Sequence, residues 1–279
     1  MATVTRRSAA RPVLRATVPA SLLGAPATPR RGASYAAPAA PGGRAVASPW
    51  HRPRLDPDFT EEQAFWDQGY RLVAGLDEVG RGCLAGPVMV GAVILPPGWL
   101  PDGLRDSKML KADARERLAE QILRRAVAWA LAAVEPAVID RVNILQATLL
   151  AAQVAASRLP VRPDALLFDG SLHLSEISLP QRVVVDGDRL CASVAAASVL
   201  AKVARDRLMV ELDGRFPGYD LAHNKGYAAP EHRAGLRELG TTSIHRLTFA
   251  SCADVEQTVL WEAVGPGDEA ADDEESPDG

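Results

Sequence analysis

Two apolar runs, Arg71 to Asp77 (RLVAGLD) and Pro87 to Leu95 (PVMVGAVIL), are joined by only a short glycine-rich stretch, and this limits the fold more than any other feature. Both have the length and branched-residue content of strands, so the tight link implies an antiparallel pair. Val127 to Val134 is short and apolar enough to be a third strand. Between the second and third lies a helical run, Lys111 to Arg125, that follows DSKML. After the third, Pro136 to Arg158 places Ile139, Val142, Leu145, Leu149 and Val154 at helical spacing. Strand and helix then alternate. Asp164 to Asp169 (DALLFD) and Arg182 to Val185 (RVVV) are brief apolar runs, and a long helix from about Leu190 to Leu212 follows the second. Three strands first and then two in alternation predict an α/β fold: a mixed five-stranded sheet flanked by helices. A short helix leads into it at TEEQAFWDQG, with Thr60 as N-cap, Glu61 and Glu62 in the first turn, and Phe65 and Trp66 to bury.

Composition sets the outer limits. A chain of 279 residues that is 47% hydrophobic can bury one sizeable core without staples. Cys83, Cys191 and Cys252 are odd in number and lack CxxC spacing, which argues against a disulfide framework or zinc site and for a reducing compartment. The longest run of small apolar residues, Cys191 to Ala201, is shorter than the roughly 18 residues a membrane span needs, so no membrane association is expected. The net charge of −4 conceals polarity along the chain: residues 1–55 carry nine arginines and no acid, whereas the last residues are dominated by Asp and Glu. We expect residues 1–58 to be a disordered basic Ala/Arg/Pro-rich extension, 59–262 the ordered domain, and 263–279 a disordered acidic tail. The head reads as an extension from a compositionally biased genome, which implies a cytoplasmic protein; an organellar transit peptide is the alternative.

Asp77 and Glu78 in GLDEVGRG, Asp169 in LLFDG and Asp188 in VVVDGD all fall where an expected strand ends or a helix begins. If the first and fourth strands are central neighbours, Asp77 and Asp169 face each other, Glu78 sits across the pleat or in the turn, and Asp188 enters from the helix. Bare carboxylates so placed would repel one another, and Mg²⁺ or Mn²⁺ would remove that penalty. Two such ions would serve an in-line displacement at phosphorus. Taken singly, Asp169 before Gly170 and Asp188 after Gly187 also suit turns or caps. Gly75, Gly80, Gly82 and Gly86 allow close backbone approach around Arg81, in a pattern that is neither a dinucleotide-binding fingerprint nor a Walker loop.

GLDEVGRGCLAGPVMVGAVIL, DSKML, NILQATLLAA, LLFDG, GDRLCASVAAASVLAKVARDRLM, HNKGYAAPEHRAGLRELG and the final HR together resemble the ribonuclease HII family over roughly residues 71–249. Ribonuclease HIII is less similar, because that family lacks the GRG arrangement at this turn. The resemblance implies a ribonuclease H-like fold with a small helical C-terminal part. It implies Asp77, Glu78, Asp169 and Asp188 as the metal-binding catalytic set, with Gly80, Arg81 and Gly82 on the 2′-hydroxyl at an RNA-to-DNA junction. Tyr227 would pack on the sugar of the next, deoxy residue; from its sequence setting alone it could equally be a partly buried aromatic. Lys108, Asn143, Ser198, Lys202 and Arg205 become candidates for phosphate or supporting contacts, although Lys202 and Arg205 also suit a solvated helix face. His245 and Arg246 are weaker candidates near the substrate. His173, His223 and His232 read as surface or hydrogen-bonded histidines, since no HxxxH or HExxH spacing is present. Two departures stand out: Phe168 where an aliphatic is expected, and Asp186, an extra acid beside Asp188 where a lysine is expected.

The implied activity is metal-dependent endonucleolytic cleavage of the RNA strand of RNA/DNA hybrids and 5′ of single ribonucleotides in duplex DNA, by a monomer. A non-catalytic hybrid-binding module would not need all four acids. A junction-resolving or transposase-type relative would lack GRG and Tyr227.

Overall fold

The computed structural model describes residues 56–170 and 174–254. Residues 1–55 and 255–279, and His173, lie outside the described residues, so the expected extension and tail are largely not described. Packing starts before the expected boundary at Phe59: the Asp58 N–H donates to the Leu190 carbonyl at 3.1 Å, and the Asp58 carbonyl accepts from Ala192 at 2.9 Å.

The sheet order is β3-β2-β1-β4-β5. β1 (Val73–Val79), β2 (Val88–Ile94) and β3 (Ala128–Val134) form an antiparallel meander. β4 (Ala165–Asp169) and β5 (Gln181–Val184) add in parallel on the other side of β1. The expected mixed five-stranded sheet is therefore the observed one, and its two halves meet where β1 pairs with β4. Register there matches Leu76 with Phe168, which brings Asp77 level with Asp169.

Alternation along the strands makes two cores. Ala74, Leu76, Val90, Leu166 and Phe168 face α3 (Pro136–Val142) and α4 (Ile144–Ser157). Met89, Val93 and Leu131 face α2 (Ala112–Arg125) and α6 (Ala192–Arg215). Phe168, the unexpected aromatic, is 1% exposed in the first core, so packing absorbs that departure. On the second face, α6 touches the strands backbone to backbone. A Cβ at Gly75 would lie 2.2 Å from the Ser193 carbonyl carbon, and one at Gly91 would lie 2.5 Å from the Ala197 carbonyl oxygen. The two glycines and the Ala/Ser-rich first half of α6 thus set the helix directly beside the end of β1.

Two local expectations are corrected. The run 136–158 is two helices, because Asn143 adopts a left-handed φ of 69° and its side-chain oxygen caps α4 by accepting from Gln146 N–H at 3.0 Å. The apolar spacing continues across the break and conceals it. In α1 (Thr60–Trp66), the N-cap position falls on Phe59 and Thr60 is the first helical residue; the Asp58 carboxylate accepts the Thr60 N–H at 2.8 Å. The small helical C-terminal part comprises α7 (Leu221–Asn224) and α8 (Pro230–Leu239), packed with Leu84, Ala85, Met209, Leu212 and Tyr219 around a core of its own. Among the described residues, no helix is long and apolar enough to cross a membrane.

Candidate active site

β1 runs two residues past Asp77, so Asp77 and Glu78 lie inside the strand rather than at its end. The pleat sends them to opposite faces, with Glu78 opposite Val90 and Asp77 opposite Gly91. Asp77 shares the α6 face with Asp169, the last residue of β4. Asp188 arrives from α5 (Gly187–Leu190), just ahead of α6. A bond of 2.6 Å from the Gly187 N–H to Asp169 Oδ1 ties the end of β4 to this short helix. Asp186 precedes it in a left-handed conformation and is exposed, whereas Asp188 is buried, which separates the two acids that the sequence left in competition.

Burial raises the Asp77 carboxyl well above the usual range; a Ser198 hydrogen bond opposes this, while Glu78, Asp169 and Asp188 add to it. Asp188 is raised by burial and then by Asp169, against the pull of Lys108, whose Nζ lies 3.3 Å from Asp188 Oδ2. Burial also raises Glu78, with Arg81 opposing from 3.3 Å. The four acids thus share an unbalanced negative field. Among the described residues no three His, Cys, Asp or Glu side chains converge as a metal site would hold them. The donor chemistry nevertheless fits a hard divalent ion: carboxylate oxygens on a common edge, with protonation the alternative way to relieve their repulsion.

The turn after β1 forms a second cluster with the C-terminal part. Gly80 has φ 86°, and a Cβ there would lie 2.2 Å from Arg205 Nε, so the fold itself demands glycine. Gly82 differs: it is exposed, has no left-handed φ, and its Cβ would meet nothing within 4 Å. Tyr227 is 44% exposed, with its hydroxyl pushed up by burial and by Cys83, the residue that follows Gly82.

Several candidates turn inward. Arg205 is 0% exposed and donates to the carbonyls of Pro87 at 3.0 Å, Lys225 at 2.8 Å and Ala85 at 3.0 Å, so it is neither on a solvated face nor free for a phosphate. Arg246 is equally buried on backbone carbonyls, and His245 is buried beside it. Lys202 pairs with Asp206 at 2.6 Å, Asn143 caps α4, and Ser198 meets Ser107 Oγ at 2.9 Å next to Asp77. Ser107, Cys83 and His232 were not picked out as parts of these clusters. All three lie within blocks that carry the resemblance, but the partners that give Cys83 and His232 their places are far along the chain and leave no local signal.

This sheet order, with carboxylates at the β1/β4 edge, defines the ribonuclease H-like class of nucleases. Residues 74–252 match the family model for Ribonuclease HII. A Ribonuclease HII from Desulfitobacterium hafniense (strain Y51) is 49% identical over 197 residues, covering 71% of this chain and 75% of that protein. In fold, the chain is similar to the ribonuclease H2 of Pyrococcus horikoshii OT3, with a TM-score of 0.61 and 24% identity over 68% of this chain and 99% of that one. It is also similar to a Bst ribonuclease HIII solved in complex with Mn²⁺, with a TM-score of 0.53 and 19% identity over 77% and 76%. The chain belongs to the ribonuclease HII family and is a metal-dependent endoribonuclease of that type.

Proposed function

We propose that this enzyme hydrolyses the RNA strand of RNA/DNA hybrids and cuts 5′ of a single ribonucleotide in duplex DNA, leaving a 3′-hydroxyl and a 5′-phosphate. The observation that carries this reading is the continuity of β1 with the Gly80–Gly82 turn: Asp77 and Glu78 stand five and four residues before Gly82, a glycine that neither packing nor φ requires. A missing side chain there suits close approach of a sugar, whose 2′-hydroxyl distinguishes RNA from DNA. Tyr227 offers a half-exposed ring against which the following sugar would lie, favouring a deoxy residue.

Asp77, Glu78, Asp169 and Asp188 would hold Mg²⁺ or Mn²⁺. When bound, the metal supplies Lewis-acid stabilisation of charge at the phosphate and activation of water. The chain's own residues do the rest. Ser198 orients the Asp77 carboxylate, and the Gly187 N–H anchors one oxygen of Asp169. Lys108, 75% exposed in its side chain, and Arg81 flank the carboxylates with mobile positive charge for the backbone phosphates. In this reading the catalytic unit runs from Asp58, just ahead of the expected boundary, to about residue 262 and acts as a cytoplasmic monomer in ribonucleotide removal during DNA replication and repair.

The test is cleavage of duplex DNA containing one ribonucleotide and, separately, of an all-DNA junction, with and without Mn²⁺, followed by mapping of the cuts. A single metal-dependent cut 5′ of the ribonucleotide is expected. Binding without cleavage, or cleavage of the all-DNA junction, would overturn the reading.

A further inference from the structure

The two turns assigned to the sugars come from distant parts of the chain, and one buried dipeptide reaches both, the first directly and the second through His232. Arg246 Nη2 donates to the Gly80 carbonyl at 2.7 Å and to Gly86 at 2.9 Å, while Nη1 donates to the Arg81 carbonyl at 2.8 Å. Its backbone N–H bonds the Leu84 carbonyl at 2.8 Å, beside a bridge between Ala85 and His245. The neighbouring side chain reaches the other way. His245 Nε2 lies 3.1 Å from His232 Nε2, and His232 Nδ1 lies 2.8 Å from the Tyr227 carbonyl.

Hydrogen-bond logic assigns every proton in this chain. The Thr242 backbone N–H, 3.0 Å from His245 Nδ1, can only donate, so Nδ1 accepts and the proton of a neutral His245 is on Nε2. That proton points at His232 Nε2, which must accept, leaving the His232 proton on Nδ1. It is therefore donated to the Tyr227 carbonyl, an oxygen that can only accept. Each ring has one allowed tautomer, and both are buried against Tyr219. Burial also lowers both pKa values, that of His245 to about 4 with His232 contributing, which keeps the pair neutral.

We propose that His245 and Arg246, acting with His232, are positioning residues that set the registry between the Gly80–Gly82 turn and Tyr227, and so set the spacing at which two successive sugars are read. The inference rests on the assignment of those turns to the sugars. A shift of an ångström in such registry costs far more in rate than in stability.

Three variants of the full-length enzyme test it: Tyr227→Ala, His232→Phe, and His232→Asn, which keeps a donor for the Tyr227 carbonyl. Each is assayed with Mg²⁺ on a single-ribonucleotide duplex and on an all-RNA/DNA hybrid. His232→Phe should lower kcat/KM on the single-ribonucleotide duplex about tenfold and on the hybrid much less. His232→Asn should recover most of the loss. If Tyr227→Ala loses the preference while His232→Phe keeps it, the positioning role is overturned and the Tyr227 assignment stands. If Tyr227→Ala keeps the preference, the assignment itself falls, and the inference with it. Independently of whether variants fold, ¹⁵N NMR of the wild-type histidines should give Nδ1–H for His232 and Nε2–H for His245; the opposite tautomers would overturn the relay.

Discussion

Asp77 and Arg246 are buried ionisable side chains gathered around the same strand and the turn that leaves it, yet their surroundings differ in kind. Asp77 is crowded by Glu78, Asp169 and Asp188, and its charge is opposed by its surroundings. Arg246 is ringed by the carbonyls of Gly80, Arg81 and Gly86; burial and Arg205 lower its pKa only to about 10, so it stays charged near neutrality. One region is left electrostatically unbalanced, as the proposed binding of a cation requires. The other is fully hydrogen-bonded where geometry has to be held. The difference teaches that the two halves of the task, cutting and choosing where to cut, place opposite demands on buried charge.

The largest expected effect breaks the unbalanced side. Asp77→Asn should reduce Mg²⁺-dependent cleavage by about 10³-fold or more, while the metal-free protein melts no lower than the wild type, because a repelling charge has been removed. Cleavage assays beside calorimetry check this; lost stability would mean that Asp77 is a structural acid. Next comes the balanced side. Arg205→Met strands the carbonyls of Ala85, Pro87 and Lys225 and should cost about 3 kcal/mol in denaturant unfolding. A near-neutral result would show that these bonds do not hold the turn.

A smaller effect separates holding from reading. Gly82→Ala meets no protein atom and should change stability by less than about 0.5 kcal/mol, yet raise KM for a single-ribonucleotide duplex roughly tenfold. An unchanged KM would remove Gly82 from the sugar contact. The smallest effect uses a buried acid outside both regions. Glu62 accepts from the Ser193 N–H at 2.8 Å and hydroxyl at 2.6 Å, and burial raises its pKa above the ordinary 4.5. The native state therefore binds more protons than the unfolded chain, so this group's contribution to stability falls as pH rises from about 4.5 through its raised value. Glu62→Gln should flatten that fall by about 1 kcal/mol or less between pH 5 and 8. Equal pH profiles for the two proteins would exclude the burial effect.

Much of this was legible beforehand. The tight link between the first two strands and the later alternation followed from periodicity and connection length; that β1 lies beside β4 was only a condition of the sequence reading, and the sheet order supplies it. The four acids were singled out by their positions around expected strand ends, although Asp77 and Glu78 lie just inside β1, and their role as metal ligands belongs to the proposal. The break at Asn143 was not legible, since one left-handed residue leaves the apolar spacing intact. Nor was the inward turn of Arg205: its spacing from Lys202 suits an exposed helix face, and only the carbonyls of Ala85, Pro87 and Lys225, brought over that stretch of α6, make it buried.

What the sequence determined by itself is what neighbouring residues decide: strands and helices, the glycines a turn needs, and an excess of carboxylates in a particular order. The tertiary structure alone decided which charges are balanced. That depends on Arg246 reaching a turn more than 160 residues away and on His245 reaching Tyr227 through His232. Such bonds are long-range, and their partners exist only once the sheet, α6 and the C-terminal helices have packed.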